Sequence, residues 1–370
     1  MGYVAVKGGQ EAILASSELS RYYRVRHAAT SLDVDILPSQ MRFLVDRVMS
    51  EAGFYGPDHA ALALKQAQGD IYEAAFLLRA YRSTVPRNHV SLPLDTKEMR
   101  LIRRVSSAFR DIPGGQILGP TFDYAHRLLQ FDLRDEPPQA IAQVLKRVED
   151  HHAAEEAGDQ GVFPRVSDFL REEGLMAPPN PGLDEEEPFD ITRLKLTFPA
   201  PRSARLQTMA RGETGAMVAL AYSSMRGYGA IHPTIGELRV GYCALILPYP
   251  LEEGEALYVG ELLITEVEAI NGFAHTKPGE PVQLILGYGA SFGQNEVKSI
   301  AMSILDRALD VIGKEPAHDE EYVLSHIDSI ESTGFVSHLK LPHYVTFQSE
   351  LDRLRQTRQT PSADAEEGNR

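Results

Sequence analysis

Two histidines stand five residues apart in Gly334-Phe-Val-Ser-His338-Leu-Lys-Leu-Pro-His343-Tyr344. On a regular helix that spacing separates the rings, and on a strand it puts them on opposite faces. Pro342 opposes a continuous helix, so only a turn could bring the two imidazoles together, as metal ligation would need. Two histidines cannot close a tetrahedral zinc shell, and a third ligand would have to come from elsewhere. The plain alternative is two unrelated histidines in an aromatic-rich loop. The lone cysteine, Cys243, reads as a small buried hydrophobe.

Three glycine-rich segments could cradle phosphate: Pro113-Gly114-Gly115-Gln-Ile-Leu-Gly119-Pro120, Arg226-Gly227-Tyr228-Gly229 and Gly287-Tyr288-Gly289-Ala-Ser-Phe-Gly293. The first and third are expected to run straight into helices, whose free N–H groups and positive dipole end hold anions. The alternative for each is a tight turn, which glycine permits anywhere. Between Leu196 and Thr276 lie Arg202, Arg205, Arg211, Arg226 and Arg239 without a lysine. The guanidinium fork suits phosphate oxygens; pairing with Glu213, Glu237, Glu252 or Glu253 is the other reading. Arg100, Arg103 and Arg104 are expected on a solvated or partner-facing helix face.

The acid–base candidates are Asp123 and His126, His232 before Pro233, and the group Glu261, Glu266 and Glu268. Asp123 and His126 are expected as i, i+3 neighbours on a helix after the first glycine loop; the alternative is a capping residue and a satisfied histidine. Glu266 and Glu268 alternate as the solvent face of a strand does. No G-x-x-x-x-G-K-[ST], G-x-S-x-G or H-E-x-x-H pattern occurs, so P-loop, nucleophile-elbow and zincin chemistries have no support.

These residues must be positioned by mixed elements. A strand is expected at Tyr3–Val6 and a helix from Gly8-Gly9 to about Tyr23. Met41, Leu44, Val45, Val48 and Met49 mark a helix over Pro38–Glu51, stopped by Gly53, and Ala60–Gln68 is another. Asp70 with Glu73 forms a capping box for a helix to Tyr81. Asp95 with Glu98 repeats the device for a helix over Thr96–Phe109, with Ile102, Val105 and Phe109 inward. Gln139–Ala157 and Glu296–Val311 read as helices. Val240–Leu247, Leu257–Ile264 and Pro281–Gly287 read as strands, with turns at Glu252-Glu253-Gly254 and Lys277-Pro278-Gly279. The class is α+β, with a predominantly helical N-terminal half and a mixed C-terminal half. The organisation expected is a helix-rich domain (1–131), a Pro-rich acidic linker region with one helix (132–192), an α+β domain with the glycine loops and histidines (193–358), and a disordered tail (359–370).

The chain has 370 residues, 43% hydrophobic and 24% charged, which suits a globular protein of about two domains. Thirty-seven Lys and Arg against 52 Asp and Glu leave a net charge of −15. General nucleic-acid coating is therefore excluded, because it needs an electropositive face; a phosphorylated substrate would need a local basic pocket. One cysteine excludes an internal disulfide framework. The N-terminal apolar stretch is too short for a signal peptide and no apolar run is long enough to span a membrane, so a cytoplasmic protein is expected.

Over nearly its whole length the sequence resembles the PhnI family, a subunit of the bacterial carbon–phosphorus lyase core complex. The stretches that carry the resemblance include Met1-Gly-Tyr-Val-Ala-Val-Lys-Gly-Gly, Phe76-Leu-Leu-Arg-Ala-Tyr-Arg, Asp111-Ile-Pro-Gly-Gly-Gln, Leu118-Gly-Pro-Thr-Phe-Asp-Tyr-Ala-His-Arg-Leu-Leu, Arg226-Gly-Tyr-Gly and Gly334-Phe-Val-Ser-His-Leu-Lys-Leu-Pro-His-Tyr-Val. The resemblance implies that, with subunits of the G, H and L types, the chain displaces adenine from ATP by a phosphonate. The product would be α-D-ribose 1-methylphosphonate 5-triphosphate, and the chain alone would be a purine nucleosidase. It also implies that His338 and His343 ligate zinc with a cysteine of the radical SAM (J-type) subunit; a non-catalytic scaffold completing that site is the rival reading. For such a reaction, Gly114, Gly115, Gly287, Gly289 and Arg226 are the phosphate candidates, with Mg²⁺ on the phosphates. Glu261 is the candidate for ribose, and His126 or Asp123 for the proton delivered to adenine.

Overall fold

The computed structural model describes residues 9–154, 163–177, 188–226, 232–249, 254–274, 279 and 281–359. The expected strand at Tyr3–Val6, the glycines of the Arg226 loop, most of both expected turn segments and the tail lie outside these residues. The chain divides into two compact units, one of Asp33–Asp328 and one of Met1–Leu32 with Ser329–Arg370. Compactness thus does not follow the composition boundaries at 131 and 192, because strands on either side of them pair.

In the larger unit the chain begins with α2 (Leu37–Gln40), α3 (Arg42–Ala52), α4 (Pro57–Gln66) and α5 (Ile71–Thr84). The expected Pro38–Glu51 helix is broken at Met41, whose φ of −123° and ψ of 35° are not helical. Val45, Val48, Met49 and Ala52 of α3 pack with Ala60, Leu64, Ala74 and Leu78. Gly53, at φ 60°, ends α3, a left-handed conformation that glycine adopts without cost. Asp70 caps α5 by accepting from the Tyr72 and Glu73 amides, as the capping box predicts. The opposite stripe of α3, with Asp46, Ser50 and Glu51, is also buried, so this helix has polar work on its second face.

The expected helix over Thr96–Phe109 does not form. Asp95 caps only a 3₁₀ turn at Thr96–Glu98, and β1 (Arg100–Val105) follows. It pairs with β2 (Thr234–Pro248), which pairs with β3 (Ala256–Phe273), which pairs with β4 (Leu284–Phe292), all antiparallel in the order β1-β2-β3-β4. The side of β2 not taken by β3 offers backbone partners that a local reading of Arg-Leu-Ile-Arg-Arg-Val cannot see. Between β1 and β2 lie α6 (Pro138–Ala154), α7 (Val166–Glu172), α8 (Arg202–Ala210) and α9 (Thr214–Met225), and β4 leads into α10 (Glu296–Ala308) and α11 (Glu320–His326).

Successive residues of a strand face opposite ways, and that alternation organises the sheet. On one face Arg104, Glu237, Arg239, Glu266 and Glu268 are buried, against the expectation of solvated faces for Arg104, Glu266 and Glu268. Arg104 Nε lies 2.5 Å from Glu237 Oε1, Arg239 pairs with Glu266, and Arg165, just before α7, reaches both Glu266 (3.0 Å) and Glu268 (3.1 Å). On the other face α10 lies directly against β4. A Cβ on Gly287 would collide with the Ser303 carbonyl, and one on Gly289 with the Ser299 carbonyl.

The smaller unit holds α1 (Gln10–Val25), α12 (Ser329–His338) and α13 (Tyr344–Gln359). No residue of α1 is buried, and Phe335, Val336, Leu339, Tyr344 and Val345 are exposed.

Candidate functional site

Four segments remote in sequence meet in an open cleft of about 260 Å³ in the larger unit. They are α3 (Phe43, Arg47), the turn Thr121–Arg127, the start of α9 (Thr214) and the start of α10 (Gln294 to Lys298). The start of α10 is held from several sides. Thr265 Oγ1 donates to the Gly293 carbonyl (2.6 Å) and accepts from the Asn295 amide (3.0 Å). Asp46 accepts from the Gln294 amide at 2.9 Å, and burial pushes its carboxyl above the usual range. The Asn295 side chain donates to the carbonyls of Asp46 and Phe292, so it does not cap α10. Among the described residues, the Glu296, Val297 and Lys298 amides have no acceptor, as is usual for an uncapped first turn.

Lys298 is only 1% exposed and lies beneath the cleft. Its Nζ donates to Ser50 Oγ (2.8 Å) and to the Ala210 carbonyl (2.6 Å). Burial pulls its ammonium down to about 7, against the attraction of Glu51. Arg47 bridges Glu51 (2.7 Å) and Glu213 (2.6 Å). Glu213 also caps α9 through the Gly215 and Ala216 amides, and Glu51 accepts from the Thr214 amide at 3.2 Å. The first turn of α9 is therefore already satisfied, whereas that of α10 is open.

The two carboxylates in the cleft, Asp123 and Glu296, are both held by Arg103, whose Nε lies 3.0 Å from Glu296. Arg103 faces the cleft while its neighbour Arg104 faces the other side of the sheet, as strand alternation requires. Arg127, at φ 56°, lines the cleft and has no ion pair among the described residues.

The sequence candidates are dispersed. Asp123 and His126 occupy a turn, not a helix, and Asp123 is taken by Arg103, so it does not orient His126, which is exposed. Gly114 and Gly115 run into no helix. Their positive φ values of 81° and 78° fold the segment around Arg104, whose Nη1 donates to the Pro113 (2.6 Å) and Gly115 (3.2 Å) carbonyls. Such a loop offers acceptors to a cation, the reverse of a phosphate cradle. Gly287 and Gly289 lie inside β4, where they serve the close approach of α10.

Glu261 pairs with Arg100 at 2.6 Å on the sheet surface. Arg202, Arg205 and Arg239 pair with Asp306, with Asp310 and Glu320, and with Glu266. Arg226 is exposed at the far end of α9, about 16 Å from its cleft end by helical rise. Glu266 keeps its carboxyl below the usual range: burial opposes its charge, but Arg239 and Arg165 outweigh it. Cys243 is buried as expected, and burial pushes its thiol up to about 11. The cleft residues Arg47, Arg127 and Lys298 were missed; Gly293 ahead of a helix start was the local signal.

In the smaller unit, His338 ends α12 and His343 immediately precedes α13, so the turn at Pro342 does bring the rings together, with centroids 5.2 Å apart. His338 Nδ1 meets the Phe335 carbonyl and His343 Nδ1 the Leu341 carbonyl (2.5 Å). A carbonyl partner fixes the proton on Nδ1 and leaves the lone pair on Nε2. Among the described residues no group of three or more His, Cys, Asp or Glu side chains could hold a metal.

The model of the family described as bacterial phosphonate metabolism protein (PhnI) matches residues 2–361. The chain belongs to the PhnI family. It is 52% identical over 98% of both chains to HtxH of Stutzerimonas stutzeri, which carries a provisional name as a C–P lyase subunit. It is 47% identical to a protein of Escherichia coli K12, over 96% of this chain and 98% of that one, and 44% identical to one of Rhizobium meliloti, over 98% and 96%. Both are named alpha-D-ribose 1-methylphosphonate 5-triphosphate synthase subunit PhnI. No helix among the described residues is long and apolar enough to cross a membrane.

Proposed function

We propose that the chain is the PhnI-type subunit of a carbon–phosphorus lyase complex and takes part in displacing adenine from ATP by a phosphonate. The named product of its relatives carries a phosphonate on C1 of ribose and a triphosphate on C5, which is what remains of a nucleoside triphosphate after its base is exchanged. The β-linkage of ATP becomes an α-linkage, so a single inverting displacement suffices. The departing base needs a proton; His126, exposed beside the cleft residue Arg127, is the group proposed to give it. Asp123 and Glu261 are held by arginines, and their part is to fix those arginines.

The observation that carries the subunit reading is the histidine pair. Two Nε2 lone pairs from one turn fit zinc, and with no third ligand among the described residues they form half a shell. A cysteine of the J-type radical SAM subunit is the proposed complement, with G-, H- and L-type subunits completing the assembly and Mg²⁺ accompanying ATP. Bound there, zinc would supply a fixed positive charge at the subunit junction. The rival scaffold reading draws on the dispersal of the expected acid–base residues.

The purified complex, given ATP and methylphosphonate, is expected to release adenine in step with the ribose phosphonate product. The isolated chain is expected to release purine base from ATP or GTP. Release by the complex with none by the isolated chain favours the scaffold reading, and no release by either overturns both.

A further inference from the structure

We propose that the cleft between α3, the Thr121–Arg127 turn and α10 binds a nucleoside polyphosphate, phosphate on the first turn of α10 and Arg127, base against Phe43 and Phe122. The assignment deepens the reading above and rests on it for the identity of the nucleotide. The helix start after the third glycine segment was expected to hold an anion; Arg127 and the two phenylalanines were not singled out by the sequence.

The polar end comes from what is left unpaired. Asp123 and Glu296 share Arg103, which is 3% exposed, and Glu51 and Glu213 share Arg47, so each of these arginines is committed to two carboxylates. What remains facing the cleft without an acceptor is donating: the Arg127 guanidinium, three amides of α10 and the Thr121 hydroxyl, whereas Thr214 Oγ1 already donates to Glu51 at 3.1 Å. Lys298 lies directly below, buried, with its Nζ held by Ser50 Oγ and the Ala210 carbonyl. Arg103 itself keeps a buried Nε without a well-formed hydrogen bond. An anion here would gain the helix dipole and an unspent guanidinium without displacing an existing ion pair.

The apolar end is an aromatic corner. The Phe43 and Phe122 rings are 5.7 Å apart at an interplanar angle of 50°, and the Arg42 guanidinium lies 4.0 Å over the Phe43 ring. Phe122 is 62% exposed, a large apolar surface that a planar base would cover. Donors at one end and rings at the other, in one cleft, select a ligand with phosphate and base together.

The test uses the assembled complex, titrated by calorimetry with ATP and with inorganic tripolyphosphate in the presence of Mg²⁺. Both altered side chains are exposed, so the variants retain the fold. Arg127→Ala is expected to weaken both ligands by about tenfold or more. Phe122→Ala is expected to weaken ATP by about tenfold while leaving tripolyphosphate within about twofold, and Phe122→Tyr to restore ATP binding. If both alanine variants bind ATP within about twofold of the parent while the parent releases adenine, the cleft assignment is overturned and the reaction stands. If ATP binding depends on both residues but the parent complex releases no adenine, the cleft stands and the reaction falls.

Discussion

The sheet with α10 and the turn between α12 and α13 handle polar groups in opposite ways. In the sheet, Arg104, Arg239, Glu237 and Glu266 are withdrawn from water and spent on one another. In the turn, His343 is exposed and His338 half-buried, each fixed by one carbonyl and each with a nitrogen unspent. The first arrangement stabilises and positions; the second leaves bonding capacity unspent. The cleft lies within the first region but borrows the principle of the second, since α10 keeps three amides free beside a network of paired charges.

The contrast breaks most directly at Arg104. Arg104→Ala would leave Glu237 buried without its partner, a loss of about 3–5 kcal/mol, read in denaturant unfolding; a cost under about 1 kcal/mol would show that the buried charges are not holding the sheet. Next in size is Gly287→Ala, which must move α10 from β4 because the obstacle is backbone. About 1–3 kcal/mol is expected, with Gly289→Ala similar, and an unchanged melting temperature would refute the close approach.

Lys298 sharpens the comparison through pH. Its folded value is near 7 against 10.5 unperturbed, so between those values the unfolded chain holds a proton that the folded one lacks. Its contribution to stability therefore rises with pH from about 7 to 10.5, and the cost of the buried charge is fully present below 7. The charged groups that face it are Glu51 and Glu213, which favour its charge, and Arg47 and Arg79, which oppose it. Lys298→Met is expected to flatten the rise, and an unchanged slope would place the titration elsewhere.

The smallest effect on folding belongs to the histidines. His343→Ala, at an exposed position, is expected to change the stability of the isolated chain by no more than about 0.5 kcal/mol, and His338→Ala, at a half-buried one, by no more than about 1 kcal/mol. Zinc should nonetheless be lost from the assembled complex, as metal analysis would show. Stoichiometric zinc in either variant complex would remove the half-shell reading.

What was legible in the sequence was local. The Asp70 cap, the Gly53 stop, the apolar face of α3, the course of α10 and the Pro342 turn each depend on neighbours within a turn or two. What was not legible depends on distant partners. Arg100–Val105 became a strand because β2 offers it an edge, and that pairing decided that Arg103 and Arg104 would be buried. The Gly114-Gly115 segment looked like a phosphate loop because glycine spacing reports backbone freedom and not which way the carbonyls point. The cleft was hidden because its four segments share no local pattern; only the fold makes them neighbours.

The two glycines of β4 have a consequence for motion. With no side chain between them, α10 and β4 behave as one rigid slab, in which the helix can neither tilt inward nor slide without backbone collision. The mouth of the cleft cannot then tighten around an occupant from the α10 side. Across the mouth, Arg103 ties Asp123 of the Thr121–Arg127 turn to Glu296 of α10, so that one side chain braces the two walls at a set span.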